Sequence, residues 1–247
     1  MTNNNSGLSN SKKNLFTIDI EKIENKEVKK ALAEKILDKV KNGQTIGFGS
    51  GTTSYITAVK IGEKVKKENL HITAIPTSNE IKEVCEHYGI KIGNLIENEM
   101  DWAFDGADEV ELKEKWLIKG KGKAMFKEKL NIIASPKTYI LVDNTKIVDY
   151  LGQKCKVPIE VFPQALKYVS SELERLGAKD ITYRGFTENN NGILDVKFDK
   201  IEKSLEKQVK AITGVIESGL FLKYNNIEII KTNYMKSIAK WKKVKFF

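Results

Sequence analysis

The chain has 247 residues, of which 40% are hydrophobic and 30% charged, and its formal net charge is +9. This length and composition suit a globular protein with a full core. They argue against a membrane protein, because no apolar run approaches the roughly 18 residues that a spanning helix needs. Only Arg175 and Arg184 are arginines, so lysine supplies the positive charge. Proteins that read nucleic acid depend on arginine forks, so we expect no nucleic-acid partner and a surface that weakly attracts anionic substrates.

Residues 1–22 are polar, rich in Asn and Ser, and lack the apolar stretch of a secretory signal. We therefore expect a flexible tail there and a cytoplasmic protein. Cys85 and Cys155 lie in no CxxC motif and have no histidine at metal-ligand spacing. We interpret them as ordinary thiols of a reducing compartment.

From residue 24 the chain alternates predicted helices and strands. Apolar residues at helical spacing predict a helix over 24–42, and a short apolar run over 44–48 predicts a buried strand. The further predicted elements up to residue 142 are a helix over 53–67, a strand over 71–75, a helix over 78–87, strands over 90–92, 101–105 and 116–118, a helix over 124–133 and a strand over 138–142. This alternation indicates a parallel sheet that helices cover on both faces.

The pattern changes after Pro158. It predicts strands over 159–162, 179–183 and 192–197, with helices over 163–176 and 201–210. We interpret residues 155–206 as a small α+β domain inserted into a Rossmann-like α/β domain, the latter formed by residues 23–154 and 207–247. Residues 215–221 and 227–230 are then expected to return to the main sheet, and the basic, aromatic segment from Lys231 to form an added tail or helix.

The first candidate site is a glycine-rich turn, GFGSGTT at 47–53, between a predicted strand and a predicted helix. Glycine lets the backbone approach a ligand closely, and the free amides at a helix start attract an anion. The hydroxyls of Ser50, Thr52 and Thr53 add donors. The segment is neither a Walker loop nor a GxGxxG motif. It fits a phosphate or carboxylate site, or a tight turn with no ligand.

The second candidate site is the acidic turn Asp105-Gly106-Ala107-Asp108, which follows a predicted strand. Ligands of open α/β sheets bind outside the carboxyl ends of the strands, so we expect both carboxylates near one crevice. Two acids suit sugar hydroxyls. They also suit a divalent cation, but no histidine or third carboxylate lies at ligand spacing, so we predict no metal site. A turn that is simply favoured by Asp and Gly is the alternative.

Two further candidates contain lysine. The loop Lys119-Gly120-Lys121-Gly122-Lys123 combines glycine with positive charge, which suits an anion or a developing oxyanion. Glu128 follows it in a predicted helix, among Lys127 and Lys129, and Lys146 follows the next predicted strand. From periodicity alone, Glu128 and Lys146 are better explained as surface charges than as functional residues.

Taken together, seven segments resemble one family, ribose-5-phosphate isomerase A. They occur in the family's order between about residues 28 and 230, as GFGSGTT (47–53), IPTSNE (75–80), DGADEVE (105–111), IKGKGKAMFKEK (118–129), LVDNTKIVDYLG (141–152), VPIEVFPQA (157–165) and GVIESGLF (214–221). The resemblance implies a Rossmann-like domain with an inserted α+β domain, assembled as a homodimer or homotetramer. It also implies a phosphosugar substrate, because the family interconverts ribose 5-phosphate and ribulose 5-phosphate. The family uses neither a metal nor an organic cofactor, so the resemblance implies that this protein needs none.

The resemblance also implies residue roles. The proton acceptor falls on Glu128, with Asp105, Asp108 and Lys119 as the other catalytic residues. Substrate binding falls on Ser50, Gly51, Thr52, Thr53, Asp105, Gly106, Ala107, Asp108, Lys119, Gly120, Lys121, Gly122 and Lys146. These roles fit the chemistry, since aldose–ketose isomerisation moves one proton between C2 and C1 and a single carboxylate can carry it. Fixed donors would stabilise the enediolate oxygens.

The chain departs from the family's usual Lys-Gly-Gly-Gly loop, because Lys121 and Lys123 occupy positions where small residues are usual. Lys127 stands where arginine is common, and Ser218 where a bulkier polar residue is frequent. A different phosphosugar is therefore an alternative substrate. A sugar-phosphate-binding protein without catalysis is the alternative from another class, although the sequence has no output module such as a helix-turn-helix.

Overall fold

The structure is a computed structural model that describes residues 18–232. Its helices are α1 (Lys26–Leu37), α2 (Gly51–Glu68), α3 (Asn79–His87), α4 (Met125–Ala134), α5 (Leu166–Arg175) and α6 (Leu205–Lys210). Its strands are β1 (Thr45–Phe48), β2 (Thr73–Pro76), β3 (Lys91–Ile92), β4 (Trp102–Asp105), β5 (Glu109–Glu111), β6 (Trp116–Ile118), β7 (Thr138–Val142), β8 (Ile147–Val148), β9 (Val157–Val161), β10 (Ala178–Phe186), β11 (Gly192–Phe198), β12 (Val215–Ser218), β13 (Leu220–Phe221) and β14 (Ile227–Lys231).

Six parallel strands form the main sheet, in the order β14-β7-β4-β1-β2-β3. The chain runs outward from β1 to β2 and β3, and then returns to β4 on the other side of β1. This reversal makes the gap between the carboxyl ends of β1 and β4 a topological switch point, which is where ligands of open α/β sheets bind. The predicted α/β class with a parallel sheet is confirmed.

The main core joins this sheet to α1, α2 and α3. Helix α1 buries Leu32, Ala33 and Ile36 on one face. The rings of Phe48 and Phe104 meet edge to face, with centroids 4.9 Å apart. Burying one large apolar side chain contributes about 1.5–3 kcal/mol, so packing fixes the relative position of the short strands β1 and β4.

A second sheet is antiparallel, in the order β10-β11-β9-β12, and packs with α5 and α6 around a separate core. Because β12 pairs with β9, the prediction that residues 215–221 return to the main sheet is wrong. β13 pairs with β6, and β14 alone of this stretch joins the main sheet. The division into 23–154 with 207–247, and 155–206, stays a proposal, and the pairing of β12 favours a boundary near residue 218.

A third sheet, in the order β13-β6-β5-β8, contains the antiparallel pair β5 and β6. Asp108 lies directly before β5 and Lys119 directly after β6. The register pairs Glu109 with Ile118, so Asp108 and Lys119 leave the hairpin side by side. This sheet therefore brings the acidic turn and the lysine–glycine loop together.

The two predicted tails fall largely outside the described residues, which exclude 1–17 and 233–247. Residues 18–22 are described, and here the tail prediction fails. Ile20–Lys22 is a 3₁₀-helix capped by Asp19, and Ile18 and Ile20 pack against the main core. These two isoleucines supply apolar surface that the core covers. Within residues 18–232, no helix has the length and apolarity needed to cross a membrane.

Candidate active site

The predicted site segments meet at the switch point of the main sheet. The glycine turn follows β1, the acidic turn follows β4 and the lysine–glycine loop follows β6. Together with the first turn of α4 and the turn after β7, they line one cavity. Every predicted site residue lines this cavity except Asp105, which lies beneath it against Lys119.

The glycine turn is shaped by the closeness of β1 and β4. Gly49 N–H donates to the Phe104 carbonyl at 2.8 Å, and a Cβ at position 49 would fall 2.1 Å from the carboxyl carbon of Asp105, so only glycine fits. Gly51 begins α2 with a φ of +79°, and Ser50 makes no side-chain cap hydrogen bond to the helix. The first N–H groups of α2 are therefore left to attract an anion.

One end of the cavity, which we call the closed end, is formed by Asp105, Lys119 and Glu128. Lys119 Nζ lies 2.9 Å from Asp105 Oδ2 and 3.3 Å from Glu128 Oε2, and it donates to the Gly106 carbonyl at 2.5 Å. All three side chains are buried. Two carboxylates thus share one ammonium where water is excluded and electrostatic interactions are stronger than in solvent.

The pKa values at the closed end follow from burial and from this sharing. Burial raises the pKa of Asp105 to about 7, while Lys119 opposes the rise and Glu128 adds to it. Burial lowers the pKa of Lys119, but the carboxylates of Asp105 and Glu128 outweigh it and hold that pKa above its ordinary value. Lys119 therefore remains a cation and a donor in the absence of water.

Glu128 lies in the first turn of α4. Its Oε1 accepts a hydrogen bond from Ser50 Oγ at 2.5 Å. Its Oε2 is buried and accepts no hydrogen bond from the residues between 18 and 232, although Lys119 Nζ faces it at 3.3 Å. A carboxylate with one oxygen anchored and the other open suits a base that reaches a substrate proton.

Lys129, the residue after Glu128, does not serve the cavity. It is buried, and its Nζ lies 2.8 Å from Glu206 Oε1 and 2.9 Å from Glu217 Oε1. The ion pairs of Lys129 therefore link α4 to α6 and to β12. The cation that faces Glu128 is Lys119, from the preceding loop.

Asp108 connects the acidic turn with the lysine–glycine loop. Its N–H donates to the Ile118 carbonyl at 2.8 Å, and its Oδ2 accepts from the Lys121 N–H at 2.9 Å. Burial raises the pKa of its carboxyl group. Because the other carboxylate oxygen receives no hydrogen bond in the described part of the chain, it is available to a sugar hydroxyl.

A second group of residues that line the cavity, which we call the open end, consists of Lys29, Thr52 and Lys146. Lys29 Nζ donates to Thr52 Oγ1 at 2.9 Å and to the Glu24 carbonyl at 2.8 Å. Burial lowers the pKa of Lys29. Across residues 18–232, neither Lys29 nor Lys146 forms an ion pair, so neither ammonium is in direct contact with a carboxylate. Asp143 lies close enough to oppose the lowering of the Lys29 pKa.

Sequence reasoning missed Lys29, although a signal was present. Lys29 lies on the face of α1 that Leu32 and Ile36 bury, and it is itself only 8% exposed. A lysine within an apolar stripe at helical spacing needs a partner or a ligand. Because the chain is rich in lysine, Lys29 is distinguished from the other lysines only when the apolar face of α1 has been identified.

The two lysines that depart from the family's loop lie differently. Lys121 lines the cavity, and its ammonium has no acidic partner within the described range. Lys123 does not line the cavity. It adopts the left-handed region, with φ of +64°, and its Nζ extends to Gly185 on β10. Of the two, Lys121 is the one placed to reach a ligand.

The acids of the site do not form a metal-binding cluster. Among residues 18–232, no group of three or more His, Cys, Asp or Glu side chains is arranged to hold a metal ion. The expectation that the protein needs neither a metal nor an organic cofactor stays a prediction.

Comparison with known proteins gives a consistent result. The sequence model of the family described as ribose 5-phosphate isomerase A (phosphoriboisomerase A) matches residues 73–234. Similar curated proteins include ribose-5-phosphate isomerase A of Methanocaldococcus jannaschii, 35% identical over 87% of this chain and 99% of the relative. That of Pyrococcus horikoshii is 37% identical over 83% and 94%, respectively.

Solved structures agree with these relatives. Ribose 5-phosphate isomerase A of M. jannaschii matches with a TM-score of 0.80 and 34% identity, over 83% of this chain and 95% of that one. A D-ribose-5-phosphate isomerase in complex with phospho-erythronic acid matches with a TM-score of 0.79 and 35% identity, over 85% and 96%. On this evidence, the chain belongs to the ribose 5-phosphate isomerase A family.

Proposed function

We propose that this protein interconverts D-ribose 5-phosphate and D-ribulose 5-phosphate, a step of the non-oxidative pentose phosphate pathway. The observation that carries the proposal is Glu128, whose buried Oε2 accepts no hydrogen bond from residues 18–232 and lies 3.3 Å from Lys119 Nζ at the wall of the cavity. A base beside a fixed cation is the arrangement that proton transfer next to a carbonyl group requires.

The open end suits the phosphate of this substrate. Lys29 and Lys146 provide charge, and Thr52 with the first amides of α2 provides hydrogen-bond donors. A related D-ribose-5-phosphate isomerase holds phospho-erythronic acid, a phosphorylated sugar acid. With the phosphate at the open end, the reacting carbons of an open-chain pentose extend toward the closed end.

The closed end then carries out the proton transfers. Glu128 takes the proton from C2 of the open-chain aldose and returns it to C1. The C1 oxygen gains a proton as the C2 hydroxyl loses one, so the ketose forms with no net change in protons. Lys119 stabilises the charge on the enediolate oxygens, Asp108 accepts from the substrate hydroxyls, and Asp105 holds Lys119 in place and keeps it charged.

The proposal is tested by following ribose 5-phosphate that carries deuterium at C2. We expect ribulose 5-phosphate to appear and the C2 label to exchange with water, because Glu128 exchanges its proton with solvent before returning it in a fraction of turnovers. NMR of the product measures both. Absence of turnover and of label exchange would contradict the proposal.

A different phosphosugar is the second candidate substrate, and Lys121 is the observation that favours it. Its unpaired ammonium lines the cavity where the family usually has glycine. We expect Lys121→Gly to change kcat/KM for ribose 5-phosphate by less than about threefold, since a solvated cation contributes little. A panel of pentose and hexose phosphates separates the candidates, and a higher kcat/KM for another sugar would favour the second.

We also propose a homodimer or homotetramer and a cytoplasmic location. Tyr168, Tyr183 and Phe186 are large apolar side chains that are about half exposed on α5 and β10, and such surfaces often contact a second copy. Light scattering coupled to size-exclusion chromatography measures the oligomeric state. A monomer at all concentrations would contradict the assembly.

A further inference from the structure

Arg184 reaches from the second sheet into the lysine–glycine loop. It lies on β10, yet its Nη1 donates to the Lys121 carbonyl at 2.5 Å and its Nη2 to the Gly120 carbonyl at 3.2 Å. On its other side, Nε lies 2.6 Å from Asp195 Oδ2 on β11. The guanidinium group therefore bridges one carboxylate and two consecutive backbone carbonyls.

The lysine-rich composition makes this arginine informative. Of 42 Lys and Arg residues, Arg175 and Arg184 are the two arginines. Arg175 is largely exposed and pairs with Glu172 on the same helix, a contact that lysine also makes. Arg184 contacts two carbonyls and one carboxylate through three different nitrogens, two of the contacts being hydrogen bonds and the third an ion pair, which a single ammonium does not reproduce.

Neighbouring lysines do not provide a substitute for Arg184. Lys154 and Lys156 line the same cleft, but each is already engaged. Lys154 Nζ donates to the Thr145 carbonyl at 2.9 Å, and Lys156 Nζ lies 2.6 Å from Asp180 Oδ2. Arg184 is therefore the side chain of the second sheet that hydrogen-bonds to the loop carbonyls.

Holding the two carbonyls also fixes the N–H groups of the same peptides. In a planar trans peptide the C=O and N–H bonds point in opposite directions, and the described chain has no cis peptide. The peptide between Gly120 and Lys121 directs its N–H to Asp108 Oδ2 at 2.9 Å. The peptide between Lys121 and Gly122 directs its N–H away from Arg184. Gly122 lines the cavity, and its N–H meets no acceptor in the described residues.

We propose that Arg184 is a positioning residue for the reaction. It sets two peptide planes so that Asp108 is held in place and the Gly122 N–H is presented to a substrate oxygen. Asp195, whose Oδ2 lies 2.6 Å from Nε, holds the guanidinium group beside the loop by its charge. The inference rests on the proposed function and adds a backbone amide to Lys119 as a donor for the enediolate.

The test compares Arg184→Lys with Arg175→Lys, the matched control on the exposed face of α5. Besides kcat and KM, it measures the affinity for phospho-erythronic acid and for inorganic phosphate. We expect Arg184→Lys to lower kcat by about 10–100-fold, less than the roughly 10²–10³-fold that removal of a donor costs, because the Gly122 amide remains in the chain. KM should change less than about threefold. Phospho-erythronic acid should bind more weakly, whereas inorganic phosphate, which occupies the open end alone, should bind as before. Arg175→Lys should match the wild type.

Asp195→Asn provides a second variant, which keeps Arg184 but removes the charge of its ion-pair partner. We expect a smaller loss of kcat in the same direction, with unchanged phosphate affinity. Wild-type kcat in both variants, or equal loss of phosphate and phospho-erythronic acid binding, would overturn the inference. If the wild type itself does not isomerise ribose 5-phosphate, the proposed function fails, and the two affinities of Arg184→Lys still test the role of Arg184 in ligand binding.

Discussion

The two ends of the cavity differ in how their charged side chains are paired. At the closed end, Asp105 and Glu128 share Lys119, and all three side chains are buried. At the open end, Lys29 donates only to neutral oxygens, and Lys146 has no ion-pair partner between residues 18 and 232. At one end the protein thus pairs its charges directly, whereas at the other no carboxylate touches the two ammonium groups and an anionic ligand can do so.

This difference separates chemistry from binding. A preorganised, desolvated cluster stabilises charge that develops during the reaction, whereas cations without a protein partner gain most from a ligand that arrives already charged. Substitutions at the closed end should therefore lower kcat, and substitutions at the open end should raise KM.

The largest effect is expected at the base. Glu128→Gln removes the group that carries the proton and should lower kcat by about 10²–10⁴-fold, while ribose 5-phosphate still binds through the open end. Turnover and substrate affinity are measured on the same sample. Glu174→Gln, on the exposed face of α5, is the control, and near-wild-type kcat in Glu128→Gln would refute the role.

Lys119→Met should lower kcat by about 10²–10³-fold, because it removes the side chain that we propose as donor to the enediolate oxygens. It should also cost about 3–5 kcal/mol of unfolding free energy, since two buried carboxylates lose their cation. Urea unfolding and steady-state kinetics measure the two effects. Lys113→Met, at an exposed position between β5 and β6, is the control. Unchanged stability would contradict the shared-charge description of the closed end.

Lys29→Met should raise KM for ribose 5-phosphate by about 10–100-fold, the value of one hydrogen bond to a charged group. We expect kcat to change little, because Lys29 lies at the open end. Lys30→Met, the half-exposed neighbour on α1, should leave both constants unchanged. A fall in kcat without a rise in KM would contradict the assignment of Lys29 to substrate binding.

The smallest effect concerns pH. The pKa of Asp105 is raised to about 7 in the folded protein. The contribution of Asp105 to stability is therefore fully present at pH values below its pKa in the unfolded chain. That contribution declines as pH rises toward 7, by at most about 1.4 kcal/mol per pH unit. Asp105→Asn should therefore show a smaller loss of unfolding free energy between about pH 5 and about pH 8 than the wild type. Parallel curves for the two proteins would contradict the raised pKa.

The sequence was sufficient for much of the fold. Apolar spacing predicted α2 and β7 closely, and the ordered segments predicted which residues line the cavity. It did not predict that β12 joins β9, because a short apolar strand looks the same whichever partner it has, and its partner lies far along the chain.

The site was predicted as a set of residues but not as an arrangement. Nothing local indicates that Asp105 lies beneath Lys119, since this depends on the close approach of β1 and β4 that Gly49 permits. Lys29 was missed because Lys26, Glu27 and Lys30 nearby in the sequence are also charged. Arg184 was noticed only as a rare residue type, because its contact joins two sheets that the sequence treats separately.

The ion pairs of Lys129 have a mechanical consequence. Glu128 and Lys129 are consecutive residues on α4, and Lys129 is held by Glu206 and Glu217 beside the second core. A movement of α6 or β12 that shifts Lys129 therefore acts on the residue next to Glu128, the proposed base. The alignment of the base and the docking of the smaller sheet are therefore a single cooperative property of this chain.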